Sequence, residues 1–253
     1  MSLLKHGEHA PGDDDGMDSR LDSQAEQERI NSVYRQWHGG SALARYAWHQ
    51  PDILQEVADR SRAFGVLFAR TVGTDLSALQ VMDVGCGTGG FLRQLINWGA
   101  NPANLTGTEL QQDRLDHARS HTAEGVHWHL GTLDSMPPDK FDLVTAQTVF
   151  SSILDQEVRR ELAAGMWNAL KPGGWCLVFD FRYNNPRNPN VRKVTRAELE
   201  QLWPGHERHY RSLVLTPPIA RALARCPRLL PELLASVLPP LRSHFMFMVR
   251  KDG

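Results

Sequence analysis

Val81-Met82-Asp83-Val84-Gly85-Cys86-Gly87-Thr88-Gly89-Gly90 is the stretch from which the rest of the chain can be read. An apolar run enters glycines, and Phe91 to Trp98 follows with helical spacing, so the order is strand, tight turn, helix. Gly85, Gly87 and Gly90 satisfy G-x-G-x-x-G. Positions without side chains let the backbone turn sharply and approach a ligand closely. Alone, the pattern is shared by many nucleotide sites. Asp83 narrows it, because a carboxylate two residues before the first glycine repels a pyrophosphate but holds backbone amides or a cationic group. Glu109, at the end of the next apolar run, is placed to accept hydrogen bonds from both hydroxyls of a ribose.

Outward from this point, apolar runs alternate with helical patterns. Strands are expected at Gln80–Val84, Asn104–Leu110, Val126–Leu130, Phe141–Gln147 and Trp175–Asp180. Helices are expected at Phe91–Trp98, Gln112–Ser120 and Asp155–Leu170, the last stopped by Lys171-Pro172-Gly173-Gly174. Such alternation implies a parallel sheet covered on both faces. A helix at Thr195–Trp203, strands at His206–Leu215 and His244–Arg250, and a Pro-broken helical stretch at Pro217–Leu238 complete it. The fold class is thus α/β, a doubly wound, mostly parallel, seven-stranded sheet with an N-terminal helical cap. Three parts are expected: a disordered acidic tail at 1–25, a helical cap at 26–75 and a Rossmann-like domain at 76–253. In the cap, Ile30, Val33, Tyr34 and Trp37 share one helix face, and a second helix opens at Pro51-Asp52.

Composition limits the function. The chain has 253 residues, 41% of them hydrophobic, with 28 Lys+Arg against 29 Asp+Glu. A sizeable core is affordable, and a globally basic nucleic-acid binder is disfavoured. Cysteines 86, 176 and 226 form no C-x-x-C pair, so neither a zinc ribbon nor a disulfide scaffold is indicated, and a reducing, cytoplasmic setting fits. No apolar stretch reads as a signal peptide or membrane span. Residues 182–251 are basic, with 13 Lys/Arg against 4 Asp/Glu.

Asp83-Val-Gly-Cys-Gly-Thr-Gly89, Glu109, Phe141-Asp142-Leu143-Val144 and Leu170-Lys171-Pro172-Gly173-Gly174 together resemble the class I S-adenosylmethionine (SAM) dependent methyltransferases. The resemblance covers about Leu79 to Leu177 and implies SAM as cofactor. It implies that Gly85, Cys86 and Gly87 line the methionine end, that Asp83 orients that loop, that Glu109 holds the ribose and that Leu110 packs on the adenine. Residues 131–133 would touch the adenine edge, and Gln147 and Thr148 would face the methionine part and the acceptor. The family often has an acid directly after the glycine matching Gly131. Here Thr132 stands there, beside Leu133, and the nearby acid is Asp134, so either polar residue is a candidate for the adenine amine.

Methyl transfer is an in-line displacement at a sulfonium carbon, which needs alignment and exclusion of water. The segment Gln147-Thr148-Val149-Phe150-Ser151-Ser152 holds no His, Asp, Glu or Lys, so the usual place for a general base is empty. Aromatic residues are the more distinctive supply: Tyr34, Trp37, Tyr46 and Trp48 before the sheet, and Phe181 and Tyr183 after the fifth strand. Aromatic faces stabilise a sulfonium and shape an acceptor pocket. The candidate catalytic residues are therefore Tyr34, Trp37, Tyr46, Gln147 and Tyr183, and Arg45 is a candidate for the SAM carboxylate. The polar run 180–190 borders the site by topology, with Asn184 and Asn185 as possible substrate contacts. His117/His121 and His127/His129 lack a third ligand in register and read as solvated histidines, so no metal is expected.

Three functions follow. The first is an O- or N-methyltransferase of bacterial small-molecule metabolism. The second is a cyclase acting on SAM itself, giving azetidine-2-carboxylate and methylthioadenosine, which would need a pocket packed around the sulfonium. The third is a SAM-binding partner subunit without catalysis. Transfer to nucleic acid is disfavoured because no Asn/Asp-Pro-Pro-aromatic motif occurs. The cap is expected to close over bound SAM as a lid. The acceptor and the oligomeric state are not legible.

Overall fold

The computed structural model describes residues 14–37, 50–186, 188–204, 206–223, 226, 233–234 and 237–253, with the backbone alone at 14–23, 36, 37 and 52. Seven strands form one sheet: β1 (Val81–Val84), β2 (Leu105–Glu109), β3 (His127–Leu130), β4 (Phe141–Gln147), β5 (Leu170–Phe181), β6 (Arg208–Leu215) and β7 (Arg242–Arg250). Their order is β3-β2-β1-β4-β5-β7-β6. The first five pair in parallel, and β7 runs antiparallel to both β5 and β6. The chain winds outward from β1 through β2 to β3, then returns to place β4 on the other side of β1. The switch point therefore lies at the carboxyl ends of β1 and β4, where such sheets bind ligands.

Helices α1 (Asp14–Trp37), α2 (Pro51–Thr71), α3 (Gly90–Asn97), α4 (Gln112–Ser120), α5 (Gln156–Ala169), α6 (Arg196–Leu202) and α7 (Pro217–Leu223) surround the sheet. All four residues of β1 are buried, which is why it reads as a continuous apolar run around one carboxylate. One core, with Phe64, Phe68, Phe91, Leu115 and Phe179, lies on one face of the sheet. The other, with Met82, Phe141, Phe150, Met166 and Phe247, lies on the opposite face. Full burial of one such side chain contributes about 1.5–3 kcal/mol.

Four expectations change. Helix α1 starts at Asp14, inside the stretch read as tail, and residues 1–13 lie outside the described residues. The boundary near 75 does not separate two cores, because Phe64 of α2 packs edge-on against Phe91 and Phe179 with ring centroids at 5.4 and 5.9 Å. Lys171-Pro172-Gly173-Gly174 lies within β5 rather than before it. Leu170 pairs with Phe141 and Trp175 with Leu143, so these four residues bulge out of the register. Of the expected helix 217–238, only Pro217–Leu223 is continuous among the described residues.

Candidate active site

The glycine turn follows β1 directly. Gly85 and Gly87 have φ of +61° and +57°, values that disfavour any side chain. Space adds to this at Gly85, where a Cβ would lie 2.7 Å from Val149 Cγ2; one on Gly87 would lie 2.6 Å from Arg114 Nη2, so that guanidinium would have to move. The Cys86 amide donates to the Thr108 carbonyl at 2.8 Å, tying the turn to β2.

Glu109 ends β2 with its carboxylate pinned by backbone. Oε2 accepts from the Gly87 amide at 2.9 Å, and Oε1 accepts from the Leu110 and Gln111 amides at 2.9 and 3.3 Å. The Arg114 guanidinium stands 3.8 Å from Oε2 and lies 4.7 Å over the Tyr34 ring. One arginine thus bridges the acid on the sheet and an aromatic on α1.

Asp83 is buried at the other end of the turn, and Thr145 Oγ1 donates to its Oδ1 at 2.6 Å. Burial pushes its pKa from 3.8 up to about 7, against the Thr145 hydrogen bond and the nearby Arg60 charge, which favour the carboxylate. A carboxylate whose folded value is raised is most stabilising below about pH 4 and loses that contribution as pH rises through about 7. Asp83's contribution is therefore expected to be lost between about pH 4 and 7, and Asp83→Asn is expected to remove that loss. Buried Asp180, raised to about 6 chiefly by burial, adds to the fall, and buried His244, lowered to about 3, opposes it below about pH 6.5. Melting curves of both proteins across this range check it; an unchanged slope in the variant would contradict it.

The turn after β4 is held from two sides. From behind, Asp180 Oδ2 accepts from the Ser151 amide at 3.0 Å, Arg192 N donates to the Ser151 carbonyl at 2.8 Å, and Arg159 Nε donates to the Ile153 carbonyl at 2.7 Å. From the front, α1 supplies Glu26, which accepts from the Leu154 amide at 2.5 Å, and Arg29, which donates to the Ser152 carbonyl at 2.5 Å. The Tyr34 and Ser152 hydroxyls lie 3.0 Å apart. Thr148, in this turn, has φ of +55°, a strained value for a β-branched residue and of a kind that clusters at functional sites.

These elements enclose a cleft of about 1230 Å³ at the switch point. Asp83, Gly85, Cys86 and Gly87 line it, as do Glu109 and Leu110. Thr132, Leu133 and Asp134 line it from the loop after β3, Gln147 and Thr148 from the end of β4, and Tyr34 from α1. Thr132 Oγ1 donates to Asp134 Oδ2 at 2.7 Å, so the two candidates for the adenine edge act as a pair. The buried Gln147 amide lies beside Asp83, whose carboxylate it favours, and lines the cleft.

Tyr183 is not in the cleft. It is 45% exposed, and its hydroxyl donates to the Pro240 carbonyl at 2.9 Å, because the chain after β5 turns toward the start of β7. Asn184 also faces away, its Oδ1 accepting from the Lys193 amide at 2.7 Å. Tyr46, Trp48, Arg45 and the Trp37 side chain lie outside the described residues. His117 and His121 are exposed and stack at 4.0 Å. No group of three His, Cys, Asp or Glu that could hold a metal occurs among the described residues. No helix there is long and apolar enough to cross a membrane.

Two cleft residues escaped sequence reading. Arg60 lines the cleft from α2, its guanidinium 5.6 Å from the Phe179 ring centroid. Its signal was its position, since Val57, Arg60, Phe64 and Leu67 form one helical stripe and an arginine interrupts it. Arg114 carried no comparable signal.

Residues 81–174 match the family model described as a methyltransferase domain. The chain is 31% identical over 141 residues to a biotin biosynthesis bifunctional protein BioHC of Cellvibrio japonicus, covering 55% of this chain and 25% of that protein. It is 31% identical over 137 residues to a phthiotriol/phenolphthiotriol dimycocerosates methyltransferase of Mycobacterium tuberculosis, covering 53% of this chain and 50% of that one. The chain thus spans a quarter to a half of the length of these curated relatives. Among solved structures it resembles Haemonchus contortus phosphoethanolamine N-methyltransferase 2 in complex with SAM (TM-score 0.61, 16% identity, 88% of this chain and 60% of that one). It also resembles a SAM-dependent methyltransferase from Mesorhizobium loti (TM-score 0.52, 20% identity, 74% and 97%). Residues 81–174 thus match a methyltransferase domain, and the chain has the fold of the class I SAM-dependent methyltransferases.

Proposed function

We propose that the chain binds SAM in the cleft at the β1/β4 switch point and transfers its methyl group to oxygen or nitrogen of a small molecule. The observation that carries this is the joint placement of a side-chain-free turn at Gly85 and Gly87 and the backbone-pinned Glu109 in one cleft. SAM fits these residues: the glycine turn admits close approach, and the Asp83–Gln147 pair faces the cleft as a polar group for the amino acid end. In this reading Glu109 accepts from the ribose hydroxyls and Leu110 packs on the adenine. Asp134, oriented by Thr132, accepts from the adenine amine. Asp83 and Gln147 face the amino acid end, where Arg60 pairs with the carboxylate. When bound, SAM supplies an electrophilic methyl on a sulfonium. Tyr34 and the α1 contacts to Ser152 and Leu154 hold one wall of the cleft and exclude water.

The cyclase alternative needs a pocket packed to the sulfonium. A cleft of about 1230 Å³ exceeds the ordinary single-ligand range of about 300–1,000 Å³ and leaves room for an acceptor. Incubation with SAM, with and without a panel of small hydroxyl and amine compounds, followed by mass spectrometry, tests the proposal. S-adenosylhomocysteine that forms with an acceptor supports it. Methylthioadenosine together with azetidine-2-carboxylate that form without one, and are lost in Glu109→Ala, support the cyclase and contradict it.

A further inference from the structure

The loop after β5 serves a second cavity, of about 990 Å³, on the far side of α5. It lies in the groove between α5, α6 and the segment 184–195, and nothing in the methyl-transfer reading uses it. Its charge is uneven. Five Arg/Lys side chains line it against one carboxylate, Glu198. Two of the five are committed elsewhere: Lys251 donates to Asp139 and to the Trp167 and Leu170 carbonyls, and Arg160 pairs with Glu157 at the surface. The other three are Arg159, Arg192 and Lys193. Arg159 and Arg192 share Glu198 at 2.6 and 3.1 Å, and Lys193 has no ion-pair partner among the described residues. Arg159 also faces the buried Asp180 carboxylate, so three cations against two carboxylates leave an excess of one positive charge, the complement of a bound anion. The wall is aromatic: partly exposed Trp167 has the Trp203 ring centroid at 6.0 Å and the His206 ring centroid at 4.7 Å.

We propose that this cavity binds a planar aromatic ligand bearing a phosphate- or carboxylate-type anion. The ring packs on Trp167, and the anion sits between Arg192 and Lys193, where charge-assisted hydrogen bonds are strongest. Neither group suffices alone. The cations supply affinity for any anion, and the indole wall selects one with a flat apolar body.

Phenyl phosphate is a suitable probe, because it lacks the nucleoside that the main cleft is read to take. Calorimetric titration into the full chain, with and without excess S-adenosylhomocysteine, is expected to show one saturable site per chain that the nucleoside does not displace. Inorganic phosphate is expected to bind more weakly. Lys193→Glu, a change at the cavity rim, is expected to weaken phenyl phosphate by about tenfold, and Lys193→Glu with Arg192→Gln by more. Melting curves confirm that both variants fold. No saturable binding, displacement by S-adenosylhomocysteine, indifference to Lys193→Glu, or inorganic phosphate binding as tightly as phenyl phosphate would each overturn the proposal. This test stands apart from the methyl-transfer reading, since it scores a different cavity with a different ligand.

Discussion

Glu109→Ala is expected to weaken S-adenosylhomocysteine binding by about 10–100-fold, the scale of a hydrogen bond to a charged group worth about 1.5–3 kcal/mol. The physical case rests on preorganisation. The carboxylate is buried and already fixed by the Gly87, Leu110 and Gln111 amides, so little ordering remains to be done when a ribose arrives. Alanine removes the acceptor and also leaves the Gly87 amide unpaired beside the turn. Glu109→Gln separates these effects. Its shape is retained, but one of its two terminal groups becomes a donor, which cannot pair with the amides on both sides. Glutamine is therefore expected to lose affinity as well, with less loss of stability than alanine. Calorimetry for affinity and melting curves for stability distinguish the two; wild-type affinity in both variants would remove Glu109 from the site.

The second large effect concerns stability. Glu198→Ala is expected to destabilise the fold by about 3–5 kcal/mol, the cost of leaving a buried charge unpaired. Arg159, with only 1% of its surface exposed, loses its partner at 2.6 Å, although its hydrogen bond to the Ile153 carbonyl remains. The same change removes the third residue of the capping box that Thr195 forms at the start of α6. Arg159→Met is expected to cost less, because Glu198 is 25% exposed and keeps Arg192 at 3.1 Å. The asymmetry follows from exposure: the carboxylate keeps a second cation and some water, whereas the buried guanidinium keeps only the charge of Asp180 and two carbonyls. Urea unfolding of the two variants measures it, and a larger loss for Arg159→Met would contradict it.

What the sequence revealed and what it hid differ in physical kind. Phe141–Gln147 and Gln112–Ser120 are read to their ends, because burial on both faces and a helical polar pattern are local signals. The glycine turn and Glu109 are equally legible, since their chemistry demands fixed residue types at fixed spacing. Lys171 to Gly174 looks like a loop by composition, yet the strand runs through it, because the Gly173 amide donates to the Lys251 carbonyl at 2.9 Å and the Lys251 amide donates to the Gly174 carbonyl at 2.8 Å, with Lys251 lying 78 positions past Gly173. Tyr183 illustrates the limit of topology. A residue just past the carboxyl end of a strand borders the switch point only if its strand is near it, and β5 lies one strand beyond β4. Arg114 was hidden because its role depends on Tyr34, 80 positions away in the chain, and no local pattern encodes that contact.

The central claim is that a G-x-G-x-x-G turn preceded by Asp83 serves a SAM-type nucleoside and not a dinucleotide. Equilibrium titration of the wild-type chain with S-adenosylhomocysteine and, separately, with NAD tests this most directly. Saturable one-to-one binding of S-adenosylhomocysteine, competed by SAM, is expected, with no binding of NAD. A folded chain that binds NAD and leaves S-adenosylhomocysteine free, or binds neither, would contradict it.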